Sequence, residues 1–116
     1  MMGAYANQGS RMLYIIYQED RDEGAAEIRQ QVKPDHLAYL DRFESVLVLG
    51  GALLAEDGVK RTGSVLILNV PSLADAEAFS ANEPFRQAGL FKRVSISRMR
   101  RGQWNPDAAP ASAEGN

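Results

Sequence analysis

Thr62 to Val70, TGSVLILNV, is a run of β-branched and apolar residues closed by Pro71, which cannot donate to a sheet ladder. It reads as a strand. Ser72-Leu73-Ala74-Asp75 directly after it reads as a helix start, with the Ser72 hydroxyl and the Asp75 carboxylate placed to satisfy free backbone N–H groups. Leu73, Ala76 and Phe79 or Ser80 then mark the buried side of that helix.

The rest of the chain falls into the same alternation. Met12 to Tyr17 (MLYIIY) is apolar on both alternating faces, which suits a central strand covered on both sides; Gln18 to Gly24 is a charged connection. Ala25 to Gln31 is helix-prone, but Pro34 interrupts it, so a new helix is expected to begin near Lys33 to Asp35, with His36, Leu40, Phe43 and Leu47 at helical spacing. Val46 to Leu54 is a short β-run whose Gly50-Gly51 suggests a bulge or a close backbone approach to a ligand. Asp57-Gly58 supplies a turn. Pro84 opens a helical turn through Ala88 that Gly89 stops, and Leu90 to Met99 alternates, with Val94 and Ile96 on one face and Ser95 and Ser97 on the other.

The order β-α-β-β-α-β, with sequential pairing and right-handed crossovers, predicts an α+β domain: a four-stranded antiparallel sheet with both helices on one face, the ferredoxin-like arrangement. Such a sheet leaves its other face open. Because the first strand is apolar on both faces, a homodimer through the sheet faces is expected.

Composition narrows the chemistry. With 45% hydrophobic and 24% charged residues the chain can bury a core, and a net charge of -2 supplies no global field for nucleic acid or an anionic membrane. There is no cysteine and a single histidine, which argues against thiolate chemistry and against zinc or non-haem iron, and no EF-hand spacing of acids occurs; neither a metal nor an organic cofactor is expected. No run is apolar enough to span a membrane, and the opening MMGAYANQGSR lacks the apolar centre of a signal peptide. Residues 1–11 are expected to be a flexible leader or a cloning remnant, 12–104 the folded domain and 105–116 a disordered tail, in a cytoplasmic protein.

The segments MLYIIYQED, PDHLAYL, TGSVLI, SLADAEAF and NEPFRQAGLF, in that order, resemble the YciI-like family over roughly Met12 to Arg98. The resemblance implies a protomer that assembles into a dimeric α/β barrel. It also implies a pocket between sheet and helices that holds a histidine from the first long helix and an aspartate from a D-P-[FY] segment. His36 matches the histidine, while the aspartate's place, immediately before Pro84, is taken by Glu83. Members of the family are often glycine-proline after the second strand, where this chain reads Gly50-Gly51-Ala52-Leu53. Their activities vary, and a dehydrochlorinase is among them.

The catalytic candidates are therefore His36 and Glu83. The carboxylate would accept a hydrogen bond from one imidazole nitrogen and fix the tautomer, and a helix N-terminus beside the ring would disfavour an imidazolium. Such a histidine suits proton abstraction next to a carbonyl, isomerisation, or elimination of a small leaving group from a small organic acid or cyclic carbonyl compound. The plainer alternative makes His36 a packed side chain and Glu83 a solvated one, in a non-catalytic dimeric module that binds a metabolite or protein in the same cleft. Tyr14, Tyr17 and Ser95 are candidate pocket-lining residues. The cluster of Arg98, Arg100 and Arg101, with Lys92 and Arg93 upstream, reads as a solvated face or as a clamp for an anionic ligand.

Overall fold

The computed structural model describes residues 11–115. The leader expected over residues 1–11 lies, Arg11 apart, outside the described residues. Four strands, β1 (Met12–Asp20), β2 (Leu47–Leu54), β3 (Arg61–Val70) and β4 (Phe91–Met99), form one sheet in the order β2-β3-β1-β4, every neighbouring pair antiparallel. The helices are α1 (Ala25–Arg42), α2 (Leu73–Ala81) and the single-turn α3 (Pro84–Gln87). This is the expected α+β, ferredoxin-like order, with β1 and β3 at the centre.

Strand alternation decides what each face carries. Tyr14, Ile16, Leu66, Leu68 and Val70 point to the helices and are buried with Tyr39, Val46, Ala76 and Phe79 in one apolar cluster. Phe43 lies edge-on to Phe79 and tilted against Tyr39, whose hydroxyl donates to the Phe79 carbonyl at 2.8 Å, so the only polar tip among these three rings is satisfied. On the opposite face Ile15 stands beside Ile67 and Ser97, and Tyr17 beside Val65 and Ser95. The alternation expected for β4 is therefore observed.

Four local expectations give way to tertiary context. The helix does not restart at Pro34: α1 runs through it, because Pro34 and Gln30 both lie on the solvent side, where water can serve the Gln30 carbonyl that loses its N–H partner. Leu47 is not on that helix, which ends at Arg42, and instead opens β2. The charged stretch after Tyr17 is not a connection; Gln18, Glu19 and Asp20 complete β1, with Gln18 bonded to the Ser64 hydroxyl at 2.7 Å and Asp20 to Arg29. Leu73 is exposed, and the Asp75 carboxylate takes the Ser72 hydroxyl rather than a backbone N–H, although Ser72 does accept the Asp75 N–H as a cap.

The β2–β3 turn forms as expected. Gly58 takes a left-handed φ of 72°, and Asp57 accepts the N–H groups of Val59 and Lys60, two donors that hold its carboxyl below the usual value. Gly63 is required by packing: a Cβ built there runs into the Gln18 carbonyl of the neighbouring strand. Gly63→Ala must push β1 and β3 apart at that end, and is expected to lower stability by about 1–3 kcal/mol. A denaturation midpoint equal to that of the parent protein would refute this. After β4 the chain leaves the sheet; Pro106–Ala108 is a single 3-10 turn, Ser112 bridges Gly115, and the side chains of residues 101–114 are exposed.

Candidate functional site

Glu83 links α2 to α3. It precedes Pro84, which fixes the backbone angle suited to a first helical residue, and its side chain turns back to cap the new helix: Oε2 accepts the Phe85 N–H at 2.8 Å. Glu83 is 1% exposed. The reading of Glu83 as a solvated residue is thereby excluded.

His36 reaches the same oxygen from α1. The less exposed stripe of that helix, Ile28, Arg29, Val32, His36, Tyr39 and Leu40, recurs at helical spacing and faces the sheet and α3. His36 Nδ1 lies 2.9 Å from Glu83 Oε2. An ionised carboxylate can only accept, so in the neutral ring it selects the tautomer with the proton on Nδ1 and the lone pair on Nε2. The ring stacks on Phe85 with centroids 3.9 Å apart and planes at 16°, which limits its rotation about χ2. Position on the helix differs from expectation: His36 lies well inside α1, not at its start, so the N-terminus of α1 does not act on it.

Around this pair is open space. An open cavity of about 790 Å³ is lined by Asp20 and Ala25, by His36, Leu37 and Phe85, and by Val59, Lys60 and Arg61. A second, of about 210 Å³, lies over the sheet between His36, Leu40 and Phe85 on one side and Gly50, Gly51, Ser64 and Leu66 on the other. His36, Phe85, Arg29 and Arg61 line both. Gly50 and Gly51 are not a bulge, since the register of β2 shifts between Leu47 and Leu49 and again between Leu53 and Leu54. They form part of the floor of the smaller cavity. A Cβ on Gly50 would meet Leu66 Cδ2 at 2.7 Å.

The remaining candidates lie elsewhere. Tyr14 is a core residue, 5% exposed, and does not reach either cavity beside His36. Tyr17 and Ser95 are cross-strand partners on the opposite face of the sheet, and Tyr17 lines a separate hollow of about 330 Å³ at the end of β1. Of the basic cluster, Lys92 pairs with Asp22, Arg93 approaches Glu19 at 4.0 Å and Arg101 lies over the Trp104 ring; none of its members lines the cavities at His36.

Three residues of the site went unread in the sequence. Arg29 stands two turns before His36 on one helical face, and that spacing could have revealed it. Its guanidinium grips Asp20 through two bonds, 2.5 and 3.2 Å, and sits 5.6 Å over the Phe85 ring. Phe85 and Asp20 had no comparable signal, since their roles come from the docking of α3 and the end of β1 on α1. Among the described residues no three His, Asp or Glu side chains converge as metal ligands, and no helix is long and apolar enough to cross a membrane.

Comparison with known proteins agrees with the fold. The YCII-related domain matches residues 12–100. The chain is 35% identical over 92 residues to the proteins called YciI of Escherichia coli O6:H1 and Shigella flexneri, spanning 73% of this chain and 93% of each relative. Among solved structures it is similar to the 5-chloro-2-hydroxyhydroquinone dehydrochlorinase TftG of Burkholderia phenoliruptrix, in complex with 2,5-dihydroxybenzoquinone. Identity to that chain is 35%, coverage is 78% of this chain and 96% of that one, and the TM-score is 0.71.

Proposed function

The chain belongs to the YCII-related family, and from that premise we propose that it is a proton-transfer enzyme acting on a hydroxylated ring or cyclic carbonyl compound, with His36 as acid–base and Glu83 as its positioning residue. The observation that carries the reading is the imidazole held by a buried carboxylate at 2.9 Å on the wall shared by both cavities. The likeness to a dehydrochlorinase at 35% identity supports elimination of chloride as the first reaction to test.

The chemistry needs only what an imidazole can do. From a chlorinated trihydroxybenzene, one ring hydroxyl loses its proton while the chlorine-bearing carbon gains one, giving a ketone. The hydroxyl across the ring then loses its proton, its electron pair becomes a new carbonyl bond, the double bond shifts, and chloride leaves with the electrons of the C–Cl bond. The sum is loss of HCl and formation of a hydroxyquinone, so atoms and electrons balance without an external oxidant. Each step moves one proton to or from a site that one histidine nitrogen can serve. Nδ1 is occupied by Glu83, which leaves Nε2 for the exchange. The test is chloride release and quinone absorbance on mixing the protein with 5-chloro-2-hydroxyhydroquinone. A rate no greater than in buffer, for this compound and for its unchlorinated ketonisation, would overturn the proposal.

We further propose that two copies pair through the open sheet face, where Ile15, Val65 and Ile67 are only half-buried and Leu49 is 64% exposed. Light scattering should give twice the 12.7 kDa chain mass. Ile67→Glu, at the centre of that face, should give the single-chain mass. A parent protein with the single-chain mass would refute the pairing.

A further inference from the structure

The walls of the larger cavity are unevenly charged. Of the acids that line it, Asp20 is held by Arg29 and Asp22 by Lys92, which leaves Glu27 as the one without an ion pair among the described residues. Arg21, Lys33, Lys60 and Arg61 line the same space, and none of the four has a carboxylate within ion-pair distance among the described residues; Arg21 donates to the Gly89 carbonyl, and Lys60 lies near enough to Asp57 to help lower its carboxyl. A chain of net charge -2 thus gathers more cations than acids around one concavity, where low-dielectric walls concentrate their field.

Arg61 differs from the other three. It opens β3 opposite Leu54 and, alone of these four, also lines the smaller cavity, together with His36, Gly50 and Ser64. Its side chain is exposed and makes no hydrogen bond or ion pair among the described residues. A guanidinium offers a planar fork of N–H donors that fits two oxygens of one anion, whereas an ammonium is a point charge.

We propose that Arg61 determines substrate specificity by clamping a carboxylate carried on the ring, with Lys33 and Lys60 adding to the field and the reacting part of the ring turned towards His36. The natural substrate is then a ring carboxylic acid rather than a neutral phenol. This rests on the His36 cavity being the substrate site.

The test is direct binding, by calorimetry, of 2,5-dihydroxybenzoate and its neutral counterpart 2,5-dihydroxybenzamide, which share ring and hydroxyls and differ in charge. The parent protein should bind the acid at least about tenfold more tightly, as one charge-assisted bidentate contact allows. Arg61→Gln should abolish the preference without lowering the melting temperature, since the residue is exposed and unpartnered. Arg61→Lys should keep only part of it. Equal or absent binding of the two compounds by the parent protein, or a preference that survives Arg61→Gln, overturns the clamp. The readout is independent of turnover: failure of chloride release would remove the elimination reading and leave this measurement to stand or fall alone.

Discussion

His36→Gln should abolish measurable turnover, a loss of about 10²- to 10⁴-fold, with the fold intact. Glutamine can donate its amide N–H to Glu83 Oε2 and stack on Phe85, but it has no nitrogen that takes up a proton near neutral pH. Glu83→Asp is the sharper variant. Aspartate is a good helix cap and should keep the Phe85 N–H, but it is one methylene shorter than the side chain that spans 2.9 Å to His36. Loss of that contact removes a charge-assisted hydrogen bond of about 1.5–3 kcal/mol, so kcat should fall about 10- to 100-fold with little change in melting temperature. The single histidine makes a spectroscopic check simple. Nitrogen NMR of the neutral ring should show the Nδ1–H tautomer in the parent protein and a mixture in Glu83→Asp. The same tautomer in both, or full activity in His36→Gln, would remove the pair from the mechanism.

The largest effect on stability is expected at Asp20. Its side chain and that of Arg29 are 6% and 11% exposed, and they face each other through two bonds. Asp20→Ala leaves a nearly buried guanidinium without its counter-charge, with its Nε already lacking a hydrogen-bond partner. Removing one member of a buried pair costs about 3–5 kcal/mol; the lower end applies to this pair at the cavity wall. For a domain of this size that is a fall in melting temperature of roughly 10 °C or more. The double variant Asp20→Val, Arg29→Met should recover most of the loss, because two apolar side chains of roughly similar volume need no charge balance. If the double variant is as unstable as Asp20→Ala, the pair is not what holds the end of β1 to α1.

Much of the architecture was legible because the local signals were strong and agreed. The run TGSVLILNV with Pro71 behind it, the Ser72 cap and the Asp57-Gly58 turn each have a mechanism within a few residues, and each is found in place. What failed locally did so where a distant partner decides. Pro34 breaks a helix only if its missing bond is buried, and the side of α1 that faces solvent is set by the sheet beneath it. Gln18 and Asp20 read as a charged loop because Ser64 and Arg29, which satisfy them inside a strand, are remote in sequence or on another element.

The site divides in the same way. The components are written in the chain: one histidine, no cysteine, and a glutamate immediately before a proline at the mouth of a short helix. Only the tertiary structure decided that the capping oxygen is also the one His36 reaches, and that a side chain one methylene longer than aspartate fits there. It also decided that the two arginines lining both cavities differ, Arg29 neutralised by Asp20 and the Arg61 side chain without an ion pair among the described residues. Those outcomes depend on the packing of α1 and α3 across the sheet, forty-seven residues apart along the chain, and no local spacing encodes such a distance.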